Sequence, residues 1–232
     1  MPREVEIEER MKPHFIAMFT FTSLVASVAL GDIYYDTEGD IATGNSNLDI
    51  TSFEVDNDGT NLSMSLTVSN LDADWGSYMV FMDIPGLPSN YNGSGDNDNP
   101  WLRDIGGLSG TDIFLGGWAD EGGGMQYWEF QSWWQQGEWG TLSIDWASST
   151  ITWNLVGFVT AMESEGVDTI GFEVATSGGN AGDPAIDLLG GEGTQPGWGN
   201  GSTSTDLMYY QIPAPGTLAL LLVAGIARRR RS

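Results

Sequence analysis

The sequence predicts an all-β protein, an antiparallel β-sandwich of about eight to ten strands. Three observations predict it: several short segments alternate between apolar and polar residues, a hairpin turn signal separates two of them, and glycine is abundant. Glycine makes up 32 of 232 residues and falls mainly between the alternating segments. That distribution is typical of many short strands joined by turns.

The clearest strand spans residues 62–69, where Leu, Met and Val alternate with Ser and Thr. An apolar face and a hydroxyl face at a period of two indicate a strand with one side in the core. Residues 151–155 and 170–174 alternate in the same way and predict two further half-buried strands. Residues 78–84 are apolar on both faces, which is typical of a central strand.

The connections between these strands carry signals of their own. The apolar positions change phase between Ile50 and Phe53, as a β-bulge would cause. Asn57-Asp58-Gly59 predicts a hairpin turn between the strands on either side of it. Residues 156–165 predict a short helix.

Residues 1–31 predict an N-terminal extension followed by a signal peptide. A short basic region begins at Met11, an apolar stretch covers residues 15–30, and small residues occupy the cleavage positions. The four glutamates before Met11 do not suit an export signal. We therefore expect translation to start at Met11, the signal helix to be removed, and the mature domain to begin near Asp32.

Residues 213–232 combine a short apolar run with a cluster of arginines. The run at residues 216–227 has 12 residues, and such a helix is about 18 Å long, shorter than the roughly 30 Å hydrocarbon core of a bilayer. The arginines that follow can snorkel into the headgroup layer and hold that end in the cytoplasm. The segment predicts a short membrane helix, and a chain this acidic does not favour a nucleic-acid patch there.

Pro213-Ala214-Pro215, the apolar run and the arginine cluster together resemble the PEP-CTERM sorting signal of Gram-negative bacteria that produce exopolysaccharide. Ala214 stands where that family has glutamate. The resemblance implies export across the inner membrane, transient anchoring, and removal of the tail by an exosortase, a membrane cysteine protease. The protein would then reach the cell surface or the extracellular matrix. The sorting residues that the resemblance implies are Pro213, Pro215, Arg228, Arg229, Arg230 and Arg231.

Residues 32–212 form the predicted domain, and its composition excludes several classes of function. It carries 28 Asp and Glu against one basic residue, Arg103, so it repels nucleic acid and anionic surfaces. The chain has no cysteine, its only histidine is His14 in the signal segment, and the domain has no lysine. Nucleophilic triads, zinc sites, Schiff-base lysines and P-loops are therefore excluded. Paired-carboxylate glycosidase chemistry and calcium sites remain possible on composition.

The segment Asp96-Asn97-Asp98-Asn99 is the candidate calcium site. Asp96 and Asp98 offer oxygen ligands at alternate positions, as a calcium loop requires. The pattern is not an EF-hand, because Gly107 stands at the twelfth position, where that loop needs glutamate. An Asx-rich turn without a metal is the alternative.

Three phrases, at residues 49–58, 74–83 and 99–103, resemble the DOMON-like β-sandwiches, whose relatives include the family-nine carbohydrate-binding modules. The resemblance implies a sandwich that binds sugar or haem. Haem is disfavoured, because the domain has no histidine and could ligate iron only through methionine.

Ten tryptophans, all within the domain, favour sugar binding, because an indole face stacks on the apolar face of a pyranose. Trp75, Trp146 and Trp153 lie in or beside predicted strands and are expected in the core. The others considered lie in or beside segments rich in Gly, Asn and Gln, where ligand-binding residues are more common. These candidates are Trp101, Trp118, Trp133, Trp134, Trp139 and Trp198.

Trp101 and Arg103 stand two residues apart, a spacing that in an extended segment points both side chains the same way. An indole and the only guanidinium of the domain can then face one ligand. The alternative is structural, with Arg103 paired to Asp104 or to another aspartate.

The expected function is that of an exported, non-catalytic surface or matrix protein that binds exopolysaccharide or another glycan. Two alternatives stay open. One is a structural coat or adhesion protein that depends on calcium, and the other is an enzyme that acts on glycosides with two carboxylates.

Overall fold

A computed structural model describes residues 31–89, 99–103, 105–108, 110–180, 182–191, 195, 197–198 and 201–212. The predicted signal segment, the sorting signal at residues 213–232 and the candidate calcium ligands Asp96 and Asp98 lie outside these ranges. Within them, no helix combines the length and the hydropathy that crossing a bilayer requires.

The described residues form an all-β fold with one short helix, as the sequence predicts. The strands and the helix are β1 Asp32–Tyr35, β2 Ile50–Asn57, β3 Leu62–Val68, β4 Ser77–Asp83, β5 Ile105–Gly106, β6 Ile113–Trp118, β7 Gly124–Phe130, β8 Trp134–Gly137, β9 Thr141–Asp145, β10 Thr150–Leu155, α1 Phe158–Ser164, β11 Thr169–Ser177, β12 Ala185–Leu188, β13 Ser202–Thr203 and β14 Met208–Gln211.

Two antiparallel sheets account for most of these strands. The first has the order β1-β2-β3-β10-β9, and the second has the order β12-β11-β4-β6-β7-β8, with β14 also paired to β11. A third, parallel pair joins β5 to β13. The two larger sheets hold more strands than the about eight to ten expected, because edge strands of four residues, such as β8 and β14, carry almost no periodic signal.

The main core lies between the two large sheets. Strands β3 and β10 alternate between buried and half-buried residues, as their sequence patterns predict. The rings of Phe53, from the first sheet, and Phe172, from the second, lie 5.3 Å apart and mark the contact between the sheets. Trp153 is fully buried in this core, as expected, but Trp75 and Trp146 are 37% and 47% exposed, so their assignment to the core was wrong.

Strand β11 corrects another expectation. It was predicted to be half-buried, yet it is buried on both faces along almost its whole length. Glu173, which the alternation placed on a solvent face, is fully buried, and its carboxylate accepts hydrogen bonds from the Gly190 amide at 2.8 Å and from the Ser204 hydroxyl. The segment that follows β12 therefore covers the outer face of β11, a long-range contact that the local pattern does not encode.

The predicted connections are confirmed. The register between β2 and β3 shifts between Ile50 and Ser52, where a bulge was expected. The turn that follows β2 is held by Asp58, whose carboxylate accepts the amides of Thr60 and Asn61 at 2.9 and 2.7 Å. Helix α1 falls inside the predicted segment 156–165.

The outer face of the second sheet carries a smaller core that positions the candidate site. Met79 and Phe81 of β4 and Phe114 of β6 lie on that face, and residues 99–103 and 105–108 cross it so that Ile105 and Leu108 pack on them. Strand β5 within this crossing segment pairs with β13. The second sheet is therefore covered on both sides near its centre.

Candidate functional site: an aromatic groove and an acidic cluster

A groove of about 660 Å³ opens where β4 begins and β6 ends, at the edge of the crossing segment. Its walls come from four parts of the chain: the loop that leads into β4, the segment around Trp101, the β6–β7 hairpin, and Gly179 after β11. We call it the aromatic groove. Its main side chains are those of Trp75, Trp101, Leu102, Arg103, Trp118, Asp120, Glu121 and Gln126.

Two glycines make room for two of the indoles. A Cβ atom added to Gly116 of β6 would overlap the ring of Trp101, and one added to Gly124 of β7 would overlap the ring of Trp118. Glycine within a strand often marks such a close approach. These glycines therefore let the two rings lie against the sheet surface at the groove.

Hydrogen bonds and ring contacts hold Trp101 in place. Its indole N–H donates to the Gln126 side-chain oxygen at 2.8 Å, and the same oxygen accepts the Trp128 N–H at 3.1 Å. The Trp101 ring packs edge-on against Phe114 at 5.2 Å and lies 6.3 Å from the Trp118 ring. Because its orientation is fixed before any ligand arrives, this half-buried ring can bind without losing further side-chain freedom.

Backbone strain concentrates at the groove. Among the described non-glycine residues, positive φ angles occur at Leu102 (53°), Glu121 (51°) and Ser149 (54°), and the first two line the groove. Such conformations cost on the order of 1–3 kcal/mol and cluster at functional sites. The strained turn leaves the Leu102 side chain 64% exposed beside the tryptophans.

Arg103 fastens the crossing segment to a neighbouring loop. Its guanidinium donates to the backbone oxygen of Asn180 and, at 3.3 Å, to that of Asp183. Its backbone amide donates to the Asn99 side-chain oxygen at 3.0 Å, and the Asn99 amide group donates back to the Arg103 carbonyl at 2.9 Å. Burial lowers the pKa of this guanidinium, and the charge of Asp183 opposes the shift. Arg103 thus joins the two segments, and it also lines the aromatic groove.

The structure joins Trp101 and Arg103 in a different way from the one expected. Residues 99–101 form a bend and a turn, and Leu102 is left-handed, so the segment is not extended. The Arg103 guanidinium nevertheless lies 6.0 Å from the centre of the Trp101 ring, within the range of a cation–π contact. Its predicted partner Asp104 lies outside the described residues.

The other tryptophans that were predicted to bind a ligand lie in different environments. Trp118 lines the groove. Trp133 is 67% exposed in the β7–β8 connection, away from the groove lining. Trp134 packs on Phe130 at 5.5 Å. Trp139 donates to the Val156 carbonyl at 2.6 Å and packs on the main core, so its role is structural.

Sequence reasoning missed several groove residues. Trp75 was assigned to the core, but it lines the groove and pairs with the exposed Trp198 at 6.3 Å. Asp120, Glu121 and Gln126 were not singled out either. The sequence signal that could have placed Trp75 in a loop was the glycine that follows it. Gly76 ends that loop with a φ of 140°, a conformation that favours glycine.

A second feature is an acidic cluster formed by Asp36, Asp40 and Asp187. One carboxylate oxygen from each lies within 4.8 Å of the others. Asp187 in β12 is fully buried and accepts the amides of Ile50 at 2.6 Å and Leu188 at 2.9 Å. One oxygen each of Asp36 and Asp40 is buried without a hydrogen-bond partner.

The electrostatics of this cluster follow from burial and from like charges. Burial, with the neighbouring Asp40 and other carboxylates, raises the pKa of Asp36 to about 7. Burial, with Asp36 and Asp40 nearby, raises the pKa of Asp187 to about 8. Asp40 and Asp49 also have raised pKa values, chiefly through burial. The cluster therefore carries either protons or a cation.

The donor set of the acidic cluster suits a hard cation. All its side-chain donors are carboxylate oxygens, which calcium prefers, and the sequence offers no thiol or domain histidine for a softer metal. The residues come from the loop after β1 and from β12, so none of them belongs to the predicted loop at Asp96 and Asp98.

Comparison of the chain with models of known families and with curated proteins gave no match.

Proposed function

We propose that this protein is an exported, non-catalytic glycan-binding module and that the aromatic groove binds the sugar. The observation that carries the proposal is the pair of indoles, Trp101 and Trp118, seated on mid-sheet glycines beside Trp75. Flat indole faces bind the apolar faces of pyranoses, while Gln126, Asp120 and Glu121 can bond sugar hydroxyls. The open groove suits a chain of several sugar units.

The export route supports this function and belongs to the same proposal. In this proposal a signal peptide and a PEP-CTERM-like tail, removed by an exosortase, would bring the domain to the cell surface or the extracellular matrix. Its ligand would then be exopolysaccharide or another glycan found there. Mass spectrometry of the surface-exposed protein tests the route, since it should find a start near Asp32 and no Arg228–Arg231 tail.

Replacing either groove indole should weaken glycan binding. We expect Trp101→Ala and Trp118→Ala each to cost about 1–3 kcal/mol of affinity, by analogy with base stacking on aromatic side chains. The measurement is retention of the full chain on a panel of immobilised polysaccharides. Trp146→Ala is the matched control, because Trp146 is exposed and lies outside the groove lining. Equal retention of all four proteins on every glycan would contradict the proposal.

A glycoside-active enzyme is less well supported. Such an enzyme places two carboxyl groups on either side of the scissile bond, whereas the groove carboxylates, Asp120 and Glu121, are neighbours on one turn. Release of reducing sugar from any panel polysaccharide, abolished by Glu121→Gln, would overturn the non-catalytic assignment.

The acidic cluster supports a second candidate function, a calcium-stabilised coat or adhesion protein. The supporting observation is that two of the cluster oxygens are buried without a hydrogen-bond partner. A calcium ion held by Asp36, Asp40 and Asp187 would balance these charges and join the loop after β1 to β12. Calcium would then act on the stability of the sandwich, while the groove is free to bind a ligand.

Calcium should therefore raise the melting temperature of the full chain. At a concentration of about 100 times its dissociation constant, an ion that binds only the folded state adds about 2.7 kcal/mol, or roughly 5–10 °C for a domain of this size. Asp187→Asn and Asp40→Asn should each abolish most of the calcium-dependent shift. The exposed Asp145→Asn should keep it. An unchanged shift in both cluster variants would exclude this site.

A further inference from the structure

The charges around the aromatic groove affect whether it favours neutral, anionic or cationic glycans. Asp120 and Glu121 are both exposed on its rim, and they lie on a single tight turn closed by the Gly123 amide, which donates to the Asp120 carbonyl at 2.8 Å. The left-handed backbone of Glu121 fixes where its side chain leaves the turn. Two exposed acidic residues therefore line the same groove as the indoles.

The one cation near the groove does not offset these charges. Arg103 is buried, and its guanidinium donates to the backbone oxygens of Asn180 and Asp183. It is also the only basic residue between positions 32 and 212, against 28 Asp and Glu. A glycan that carries carboxylates or sulfates would meet repulsion at the rim. Among the described groove residues the one positive charge is that of Arg103, whose guanidinium already donates to these two backbone oxygens.

Building on the proposed function, we infer that the aromatic groove prefers a glycan with free amino groups, such as a polymer of deacetylated amino sugars. A protonated amine is attracted both to carboxylates and to the electron-rich faces of indoles. The sugar ring can stack on Trp101 or Trp118 while its ammonium group lies near Asp120 or Glu121. A neutral glycan makes the same stacking contacts without the charge contribution.

The size of the preference follows from its exposed setting. Solvent-exposed ion pairs contribute modestly and are screened by salt. Two such contacts together with cation–π attraction predict a preference on the order of tenfold at low ionic strength. The preference should shrink toward unity in about 1 M salt, where the screening length falls to about 3 Å.

The test compares two probes by calorimetry with the full chain: a glucosamine hexamer and the N-acetylglucosamine hexamer of equal length. We expect the deacetylated probe to bind more tightly at low salt. In the double variant Asp120→Asn/Glu121→Gln the two probes should bind alike. The control variant Asp72→Asn/Glu138→Gln, which removes two exposed charges away from the groove lining, should keep the preference.

Each other outcome has a distinct meaning. Equal binding of the two probes to the unaltered protein would overturn this inference but leave the proposed glycan-binding function standing. A preference that survives in the rim variant would show diffuse attraction to an acidic surface and would also overturn it. Failure of both probes, and of every polysaccharide in the panel, would remove the proposed function itself.

Discussion

The stability of this protein should fall as the pH rises from 4 to 7, and Asp112→Asn should remove part of that loss. Asp112 is fully buried beside the main core; one of its carboxylate oxygens accepts the Ile84 amide at 2.5 Å, and the other has no partner. Burial, with a smaller contribution from Asp83, raises the pKa of Asp112 from its ordinary value of 3.8 to about 7.

The direction of the effect follows from which state holds the proton. Between these two pKa values the unfolded chain has released the Asp112 proton while the folded chain keeps it, so each pH unit removes up to about 1.4 kcal/mol of stability. Over the window of about 3 units the upper limit is on the order of 4 kcal/mol, or roughly 10 °C in melting temperature.

Thermal melts at pH 4 and pH 8 provide the measurement. Asparagine cannot ionise, so Asp112→Asn should lose less stability between the two pH values than the unaltered protein. Asp36 and Asp187, whose pKa values are also raised, account for part of the decrease that remains. Asp72→Asn, at an exposed position, serves as the matched control and should follow the unaltered protein. If Asp112→Asn shows the same decrease as the control, Asp112 is not the group responsible.

Gly116→Val should disrupt both the fold and the groove. A side chain at this position would occupy the space of the Trp101 indole, so either the ring leaves its place or the sheet is strained. Overpacking costs about 1–3 kcal/mol of stability, and displacing the ring should also remove the about 1–3 kcal/mol that it contributes to binding. Thermal melts and glycan retention measure the two effects separately.

A double-variant cycle makes this prediction specific. Gly116→Val should cost less stability in a Trp101→Ala background, because the ring that it meets is gone. Gly179→Ala is the control for the thermal melts only, since a Cβ there meets no atom within 4 Å but the residue lines the groove. If the effects of Gly116→Val and Trp101→Ala on stability are additive, the position of the Trp101 ring does not depend on the absence of a side chain at Gly116.

The sequence predicted those parts of the fold that local patterns encode. A strand such as β3, with one face in the core, displays its burial as alternation, and β4 displays its central position as an apolar run. The burial of Glu173 could not be read in this way, because it depends on Gly190 and Ser204, which are distant in the chain. The short edge strands were not predicted, because a strand of four residues is too short to show a periodic pattern.

The candidate site was predictable in its chemistry and much less in its geometry. Composition alone excluded histidine, cysteine and lysine chemistry and left tryptophans and carboxylates as functional groups. Loop position identified Trp101 and Trp118 but also selected Trp139, which packs on the core. Which indoles meet depends on how residues 99–103 and 105–108 cross the second sheet, and no local pattern specifies that crossing.

The hydrogen bonding of Arg103 has a consequence for the stability of the domain at high salt. A domain with one basic residue can lose at most one ion pair of its own when salt screens charges, and Arg103 donates instead to the backbone oxygens of Asn180 and Asp183. Screening does, however, relieve repulsion among its 28 carboxylates. A higher salt concentration therefore favours the folded state of this domain. The hydrogen bonds by which Arg103 joins two loops of the groove remain intact at high and at low salt.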